Sequence, residues 1–234
     1  MKLNVLYEDA YLLACVKPSG VLSQGDRGND EDMITMVKHY LFDTGNYDEE
    51  PYVAAIHRLD RPVGGVMLFA KSQEVAAKLS DMQQDGDIIK YYQAVVTGSF
   101  PDMEGEMVDY LVRDGKTNTS RVVKKGEKGA KRAELYYEVL DEMESDDGIL
   151  SYVLIELVTG RHHQIRAQLA SRGLGIWGDT KYNPKFARTK RRYVQIGLYS
   201  SRMEFKHPVT GEEIVLKHEP EGEAFDVIEL DEFE

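Results

Sequence analysis

Residues 57–72 read HRLDRPVGGVMLFAKS and place several charged side chains directly before a glycine turn. Asp60 lies between Arg58 and Arg61, and the apolar run after Gly65 is typical of a short buried strand. Neighbouring arginines favour the ionised form of a carboxyl group. A turn that closes on glycine lets another segment approach its backbone. The stretch therefore predicts either a structural ion pair or a reactive carboxylate in a cleft, and the motif alone leaves both interpretations open.

The bulk composition is that of a folded protein. The chain has 234 residues, 42% of them hydrophobic, which is enough for the core of one domain. The single cysteine, Cys15, excludes an internal disulfide and a cysteine-based zinc site. The first residues lack the pattern of a signal peptide, and no apolar run approaches membrane-spanning length. We therefore expect a cytoplasmic, monomeric protein with one domain over residues 1–234 and no membrane partner.

Charge is distributed unevenly along the chain. The formal net charge of −12 argues against binding nucleic acid by bulk attraction. Residues 113–132 nevertheless carry eight Lys or Arg against two acids, and residues 181–192 carry six and no acid. An acidic tail at about 219–234 has eight acids and no base. The basic stretches can mark a local nucleic-acid surface, although on charge alone solvated loops are the simpler interpretation.

The order of predicted elements indicates an α+β fold. Strands are expected at 3–8 and 11–16, and helices after the acidic residues 30–32 and from the N-cap Ser72 to about Asp85. Four β-rich segments follow, then a helix that ends at Gly173. Because strands and helices do not alternate regularly, we expect a mixed, mainly antiparallel sheet flanked by helices and loops. The lysine-rich residues 116–132 are predicted to form an exposed insertion between strands.

The second chemistry-bearing stretch is GRHHQIRAQLASRGLGIWGDTKY, residues 160–182. Arg161 is expected at a strand-to-helix turn and Arg166 within the helix, where guanidinium groups can bind a phosphate or a carboxylate. His162 and His163 are adjacent, so they diverge on a helix and make a poor chelate. No metal site is therefore expected.

A third stretch, KYYQAVV at residues 90–96, places two tyrosines next to each other on a strand. Tyr91 and Tyr92 must point to opposite faces. An aromatic ring that faces a cleft can stack on a nucleobase, and packing in the core is the alternative.

These stretches together resemble the RluA family of pseudouridine synthases. HRLDRPVGGVMLFAKS is similar to its catalytic motif HRLDxxTSGxLLxAK, and YEDAYLLACVKPSGVLSQGD to its YEDxxLLxxxKPxGxxxQ run. KYYQAVV resembles KxYxAxV, and residues 160–182 resemble GRxHQIRxHLxxxGxPIxGDxxY. LYSSRMEFKHPVTGEE is similar to the family's closing strand and turn. The blocks follow the family's order over most of the chain.

The sequence departs from the family pattern at six positions: Val63, Gly64, Gln168, Leu174, Gly175 and Tyr199. None of these departures removes Asp60, Tyr92, Arg161 or Arg166. They put the choice of substrate in doubt more than the chemistry.

The resemblance implies a pseudouridine synthase catalytic fold that isomerises uridine to pseudouridine in rRNA or tRNA, without cofactor or metal. Asp60 would attack the sugar C1′ or deprotonate C2′, and Arg166 would pair with Asp60 and keep it ionised. Tyr92 would stack on the flipped uracil and could help to remove the C5 proton. The substrate-binding candidates would hold the loop, act as a wedge in the RNA or contact RNA phosphates. They are His57, Arg58, Arg61, Arg161, Lys124 and Lys125. The basic stretches would face the RNA and the acidic tail would turn away.

Two other functional classes remain open from the sequence. A non-catalytic RNA-binding or RNA-folding protein on the same scaffold has no need of Asp60, Tyr92 and Arg166 together. A carboxylate-dependent glycosidase needs a second carboxylic acid at a suitable distance. Asp179 is the only candidate for that acid within a motif, and its Gly-Asp turn indicates a structural residue.

Overall fold

A computed structural model describes residues 2–25, 30–45, 49–145, 148–188 and 195–228. The chain divides into two compact units, Met1–Lys90 with Ser200–Pro220 and Tyr91–Tyr199 with Glu221–Glu234. The expectation of one catalytic domain over the whole chain stays a prediction. Parts of the predicted basic stretch, 189–192, and of the acidic tail, 229–234, lie outside the described residues.

The described residues contain four helices and twelve strands, which agrees with the predicted α+β class. The helices are α1 Met33–Thr44, α2 Gln73–Asp85, α3 Gln164–Ala170 and α4 Glu223–Asp226. The strands are β1 Asn4–Glu8, β2 Leu12–Lys17, β3 Ala54–Ala55, β4 Gly64–Ala70, β5 Ile89–Thr97, β6 Glu104–Asp114, β7 Thr119–Val123, β8 Lys131–Ser145, β9 Gly148–Leu157, β10 Gly175–Ile176, β11 Leu198–Lys206 and β12 Glu213–Lys217.

The first unit is built on the strand order β1–β2–β4–β11, with β12 also paired to β11 and β3 to β4. Every residue of β2 and β4 is buried, and apart from Lys17 at the end of β2 their sequences are apolar runs rather than alternating ones. Helix α2 contributes Val75 and Leu79 to the core beside Leu12 and Leu68. Its predicted ends are confirmed, because Ser72 caps the N-terminus and Gly86 ends the helix in a left-handed conformation.

The second unit has the strand order β5–β9–β8–β6–β7, with antiparallel neighbours and β10 paired to β5. Residues 116–132 are not the simple exposed insertion that the sequence predicted, since β7 lies within them and pairs with β6. Lysine and glycine have low strand propensity, so the surrounding residues outweighed the strand propensity of Val122 and Val123 in the sequence. The predicted helix to Gly173 is also shorter, because α3 ends at Ala170 and continues as a turn.

None of the helices in the described part of the chain is long and apolar enough to cross a membrane.

Candidate active site

The loop that carries Asp60 is held on both sides by the segment 17–23. On one side, Ser23 donates to the Leu59 carbonyl at 2.7 Å and accepts from the Leu59 N–H at 2.9 Å. On the other, the Gly20 N–H donates to the Arg61 carbonyl at 2.8 Å and Ser19 donates to the Pro62 carbonyl at 2.6 Å. All these bonds reach main-chain atoms of the Asp60 loop. The backbone on both sides of Asp60 is therefore fixed, and its side chain is half-buried.

Lys17 lies under the same loop and is 0% exposed. Its ammonium group donates to the carbonyls of Pro18 at 3.0 Å, Val21 at 2.6 Å and Arg61 at 3.2 Å. Each N–H group of the ammonium thus has a carbonyl acceptor. The bond to Arg61 connects the end of β2 to the residue that follows Asp60. Sequence reasoning quoted this lysine only within the family motif and did not identify it as a candidate site residue.

Burial lowers the pKa of Lys17 to about 7, against the opposing effect of the Asp60 carboxylate, and the nearby Arg61 lowers it further. At pH values between about 7 and the usual lysine pKa, Lys17 is protonated in the unfolded chain and deprotonated in the folded chain. Stability therefore rises with pH in this window. Lys90, whose pKa is also lowered by burial, acts in the same direction.

We expect Lys17→Met to remove part of this pH dependence. Wild-type unfolding free energy should rise between pH 7.5 and 9.5 more steeply than that of the variant, by up to about 1.4 kcal/mol per pH unit. Urea titrations at several pH values measure the difference, in which the Lys90 contribution cancels. Equal slopes in the two proteins would contradict a deprotonation of Lys17 near neutral pH.

Gly65 explains the glycine turn after Asp60. Its φ is +121°, and a Cβ atom at this position would lie 2.3 Å from the carbonyl oxygen of Ser200. Only glycine permits this approach of β4 to the backbone of β11. The close approach of another segment that the sequence predicted is confirmed within the first unit.

Three further predicted residues lie on the same loop. Both ring nitrogens of His57 are buried without a hydrogen-bond partner among the described residues, and burial lowers the pKa of His57 to about 3. The imidazole is therefore neutral at physiological pH. Arg61 donates to the Gly20 carbonyl and to Asp30, each at 2.9 Å, so it serves the loop as expected. Arg58 is exposed.

Arg166 forms a buried two-pronged ion pair in the second unit. Its Nε donates to Asp179 Oδ2 at 2.7 Å and its Nη2 to Asp179 Oδ1 at 2.8 Å. Arg166 is 4% exposed and Asp179 is 0% exposed. The Asp179 carboxylate also accepts the backbone N–H groups of Lys181 and Tyr182. Asp179 is thus a structural residue that aims the guanidinium group, and the pairing of Arg166 with Asp60 stays a prediction.

The other predicted residues of the second unit fall into two kinds of environment. Tyr92 is 6% exposed and points away from the half-buried Tyr91, which confirms that their rings face opposite sides of β5. Arg161 is exposed, and its Nε donates to the Arg132 carbonyl at 2.8 Å. Lys124 and Lys125 are both exposed, and Lys125 lies with its Nζ 6.0 Å from the centroid of the Tyr110 ring.

Comparison with known proteins shows the family to which the chain belongs. The sequence profile of RNA pseudouridylate synthase matches residues 11–171, more than half of the chain. The chain belongs to this family. It is an RNA pseudouridine synthase, an isomerase of uridines in RNA, and the resemblance predicted from its motifs is confirmed. The matched region includes Asp60, Tyr92 and Arg166.

Relatives of this pseudouridine synthase match along most of their length. It is 32% identical to tRNA pseudouridine synthase C of Vibrio vulnificus over 93% of this chain and 90% of the relative. It is 29% identical to ribosomal large subunit pseudouridine synthase D of Vibrio cholerae over 92% of this chain and 66% of the relative. The structure of human RNA pseudouridylate synthase domain containing 1 superposes with a TM-score of 0.73 at 20% identity, covering 94% of this chain and 84% of the human one. The predicted fold is therefore confirmed.

Proposed function

We propose that Asp60 carries the isomerisation of uridine to pseudouridine, as nucleophile at the sugar C1′ or as base at C2′. The observation that supports this role is the loop itself: main-chain hydrogen bonds fix Leu59, Arg61 and Pro62, while the buried Lys17 lies close enough to feel the Asp60 charge. Such preorganisation holds the backbone that carries the carboxylate in one position.

The reaction balances without any added group. The N1–C1′ bond of uridine breaks, the uracil turns, and a C5–C1′ bond forms; C5 then loses a proton and N1 gains one. Because the reacting atoms are hidden in stacked RNA, the uridine must first be extruded at a cost of about a few kcal/mol. Stacking and polar contacts in the site offset that cost. Tyr92 is proposed to stack on the extruded uracil, and Arg166 to keep Asp60 ionised.

Tyr92 variants separate stacking from proton transfer. We expect Tyr92→Ala to lose most of the activity and Tyr92→Phe to retain it if only the ring is needed, because base–aromatic stacking is worth about 1–3 kcal/mol. Single-turnover assays at saturating RNA measure the loss. Full activity in Tyr92→Ala would show that this ring only packs the core of β5.

The wild-type reaction is the direct test of the proposed function. Incubation with RNA labelled in its uridines should yield pseudouridine within the RNA chain. A non-catalytic binder would yield no product, and a glycosidase would release free uracil. The glycosidase has little support, because the Asp179 carboxylate is already occupied by Arg166 and two backbone N–H groups. Nothing in the comparisons supports the non-catalytic binder.

For the substrate, we propose a uridine in tRNA or rRNA. Relatives named as tRNA pseudouridine synthase C and ribosomal large subunit pseudouridine synthase D support both classes. Mapping pseudouridines in RNA from cells that lack the gene would identify the position by its loss. A monomeric state, a cytoplasmic location and independence of metal stay predictions.

A further inference from the structure

Basic side chains from both basic stretches meet at one residue of the second unit, Asn118, in the turn between β6 and β7. Arg113 Nη2 donates to the side-chain oxygen of Asn118 at 3.0 Å, and His162 Nε2 lies 3.2 Å from the same oxygen. Lys181 Nζ donates to the Asn118 carbonyl at 3.2 Å. A guanidinium, an imidazole and an ammonium group, which are far apart in the sequence, are therefore directed at the two oxygens of one amide residue.

The hydrogen bonds of His162 are satisfied best by its doubly protonated form. The single hydroxyl proton of Ser120 is directed to the His162 carbonyl at 2.6 Å, so Ser120 Oγ faces His162 Nδ1, at 2.9 Å, as an acceptor. Asn118 Oδ1, which already accepts from Arg113, is an acceptor for Nε2. Both ring nitrogens therefore lie beside oxygen atoms, and the imidazolium ion is the form that offers an N–H donor to each of them.

Two residues of this cluster have a left-handed backbone conformation. Asn118 has a φ of +49° and His163 a φ of +50°, and they are the non-glycine residues with positive φ in the described ranges. Such conformations are uncommon and collect at functional sites. The His163 ring stacks on His162 with centroids 3.8 Å apart and its Nδ1 bonds the Tyr182 hydroxyl at 2.8 Å, which fixes the ring of His162 from behind.

The cluster is open to solvent and positively charged. Arg113, Asn118 and Lys181 are exposed, and His162 is half-buried. The carboxylate next in sequence to Arg113, Asp114, accepts the backbone N–H groups of Lys116 and Thr117 and so caps the turn. An anion can therefore approach Arg113 and Lys181 from solvent, and it reaches His162 Nε2 by taking the place of the Asn118 side-chain oxygen.

We propose that Arg113, His162 and Lys181 form a binding site for one backbone phosphate of the RNA. This proposal rests on the proposed function for the identity of the ligand as RNA. A phosphate oxygen replaces the side-chain oxygen of Asn118 as the acceptor for Arg113 and His162. Charge-assisted hydrogen bonds to phosphate are about twice as strong as neutral ones. The site contains no reacting group, so it positions the RNA and takes no part in the chemistry.

The first test is the salt dependence of RNA binding. The full-length double variant Arg113→Gln with Lys181→Gln should bind a single-stranded RNA oligonucleotide about tenfold more weakly than wild type. Its slope of log affinity against log salt should fall by about 0.7, the value for one phosphate contact. Arg113→Lys should keep the wild-type slope because it keeps the charge. Lys78→Gln, on α2 beside Glu74, is the matched control and should also keep the slope.

The second test is the pH dependence of the same binding. Wild-type affinity should fall as the pH rises and the imidazolium loses its proton, and His162→Gln should lose part of this fall. The charged and titratable groups around His162 are Arg113 and Asp114 at the end of β6, Lys181 and Tyr182 on the loop after β10, and His163. A pH profile of His162→Gln identical to that of wild type would overturn the proposed imidazolium.

Failure of the site and failure of the proposed function give different results. An unchanged salt slope in the double variant, with pseudouridine formed by wild type on the same RNA, would overturn the phosphate site alone. A reduced slope with no pseudouridine formed by wild type would support the site and overturn the proposed function.

Discussion

Asp60→Asn should abolish the formation of pseudouridine while leaving folding and RNA binding close to those of wild type. The substitution keeps the size of the side chain and removes its charge and nucleophilicity. The hydrogen bonds that Lys17, Ser19 and Ser23 form with the loop reach main-chain atoms of Leu59, Arg61 and Pro62, and these bonds are kept in the variant. Single-turnover assays, with RNA affinity measured in parallel, separate chemistry from binding.

The matched control is Asp81→Asn, the same change at an exposed position of α2, which should leave turnover unaltered. Residual turnover of Asp60→Asn within about tenfold of wild type would contradict the assignment, because loss of a nucleophile costs several orders of magnitude.

Arg166→Met should lower both activity and stability. It leaves the fully buried Asp179 carboxylate without its cationic partner, and breaking a buried pair from one side costs about 3–5 kcal/mol. Arg61→Met breaks an ion pair with the exposed Asp30 and should cost about 1 kcal/mol or less. Urea unfolding measures both losses. We also expect the loss of turnover to be larger in Arg166→Met, and the opposite order would mean that Arg61 or another basic residue is the partner of Asp60.

A double variant separates the two roles of Arg166. Asp179→Asn removes the uncompensated charge and keeps an oxygen for the N–H groups of Lys181 and Tyr182. Arg166→Met with Asp179→Asn should therefore recover stability but not turnover. Recovery of turnover as well would show that Arg166 serves only the fold of the second unit.

The sequence determined the local elements and the identity of the family. Helix α2 was predicted with its ends because Ser72 and Gly86 act within one turn of the residues they cap. Strand β4 was predicted as a buried strand because its run VMLFA is apolar, whereas β2 was predicted as a strand and its complete burial is known only from the structure. The candidates Asp60, Tyr92 and Arg166 came from motifs, which are also local.

Strand β7 shows where local signals fail. Its residues lie between lysines and glycines, so propensity favoured a loop, and pairing with β6 supplied the hydrogen bonds that make it a strand. Ser120 is buried in that strand by its contact with His162, which lies 42 residues further along the chain. A tertiary contact of this kind leaves no periodic pattern in the sequence.

What the sequence determined by itself was therefore the family, the main elements and a carboxylate between arginines before a glycine turn. The tertiary structure decided which groups surround each of these residues. Lys17 is 44 residues from Arg61, Asp179 is 13 residues from Arg166, and Asn118 is 63 residues from Lys181. The physical reason is that partners of buried or converging charges are selected by packing across elements, and sequence spacing carries no record of that packing.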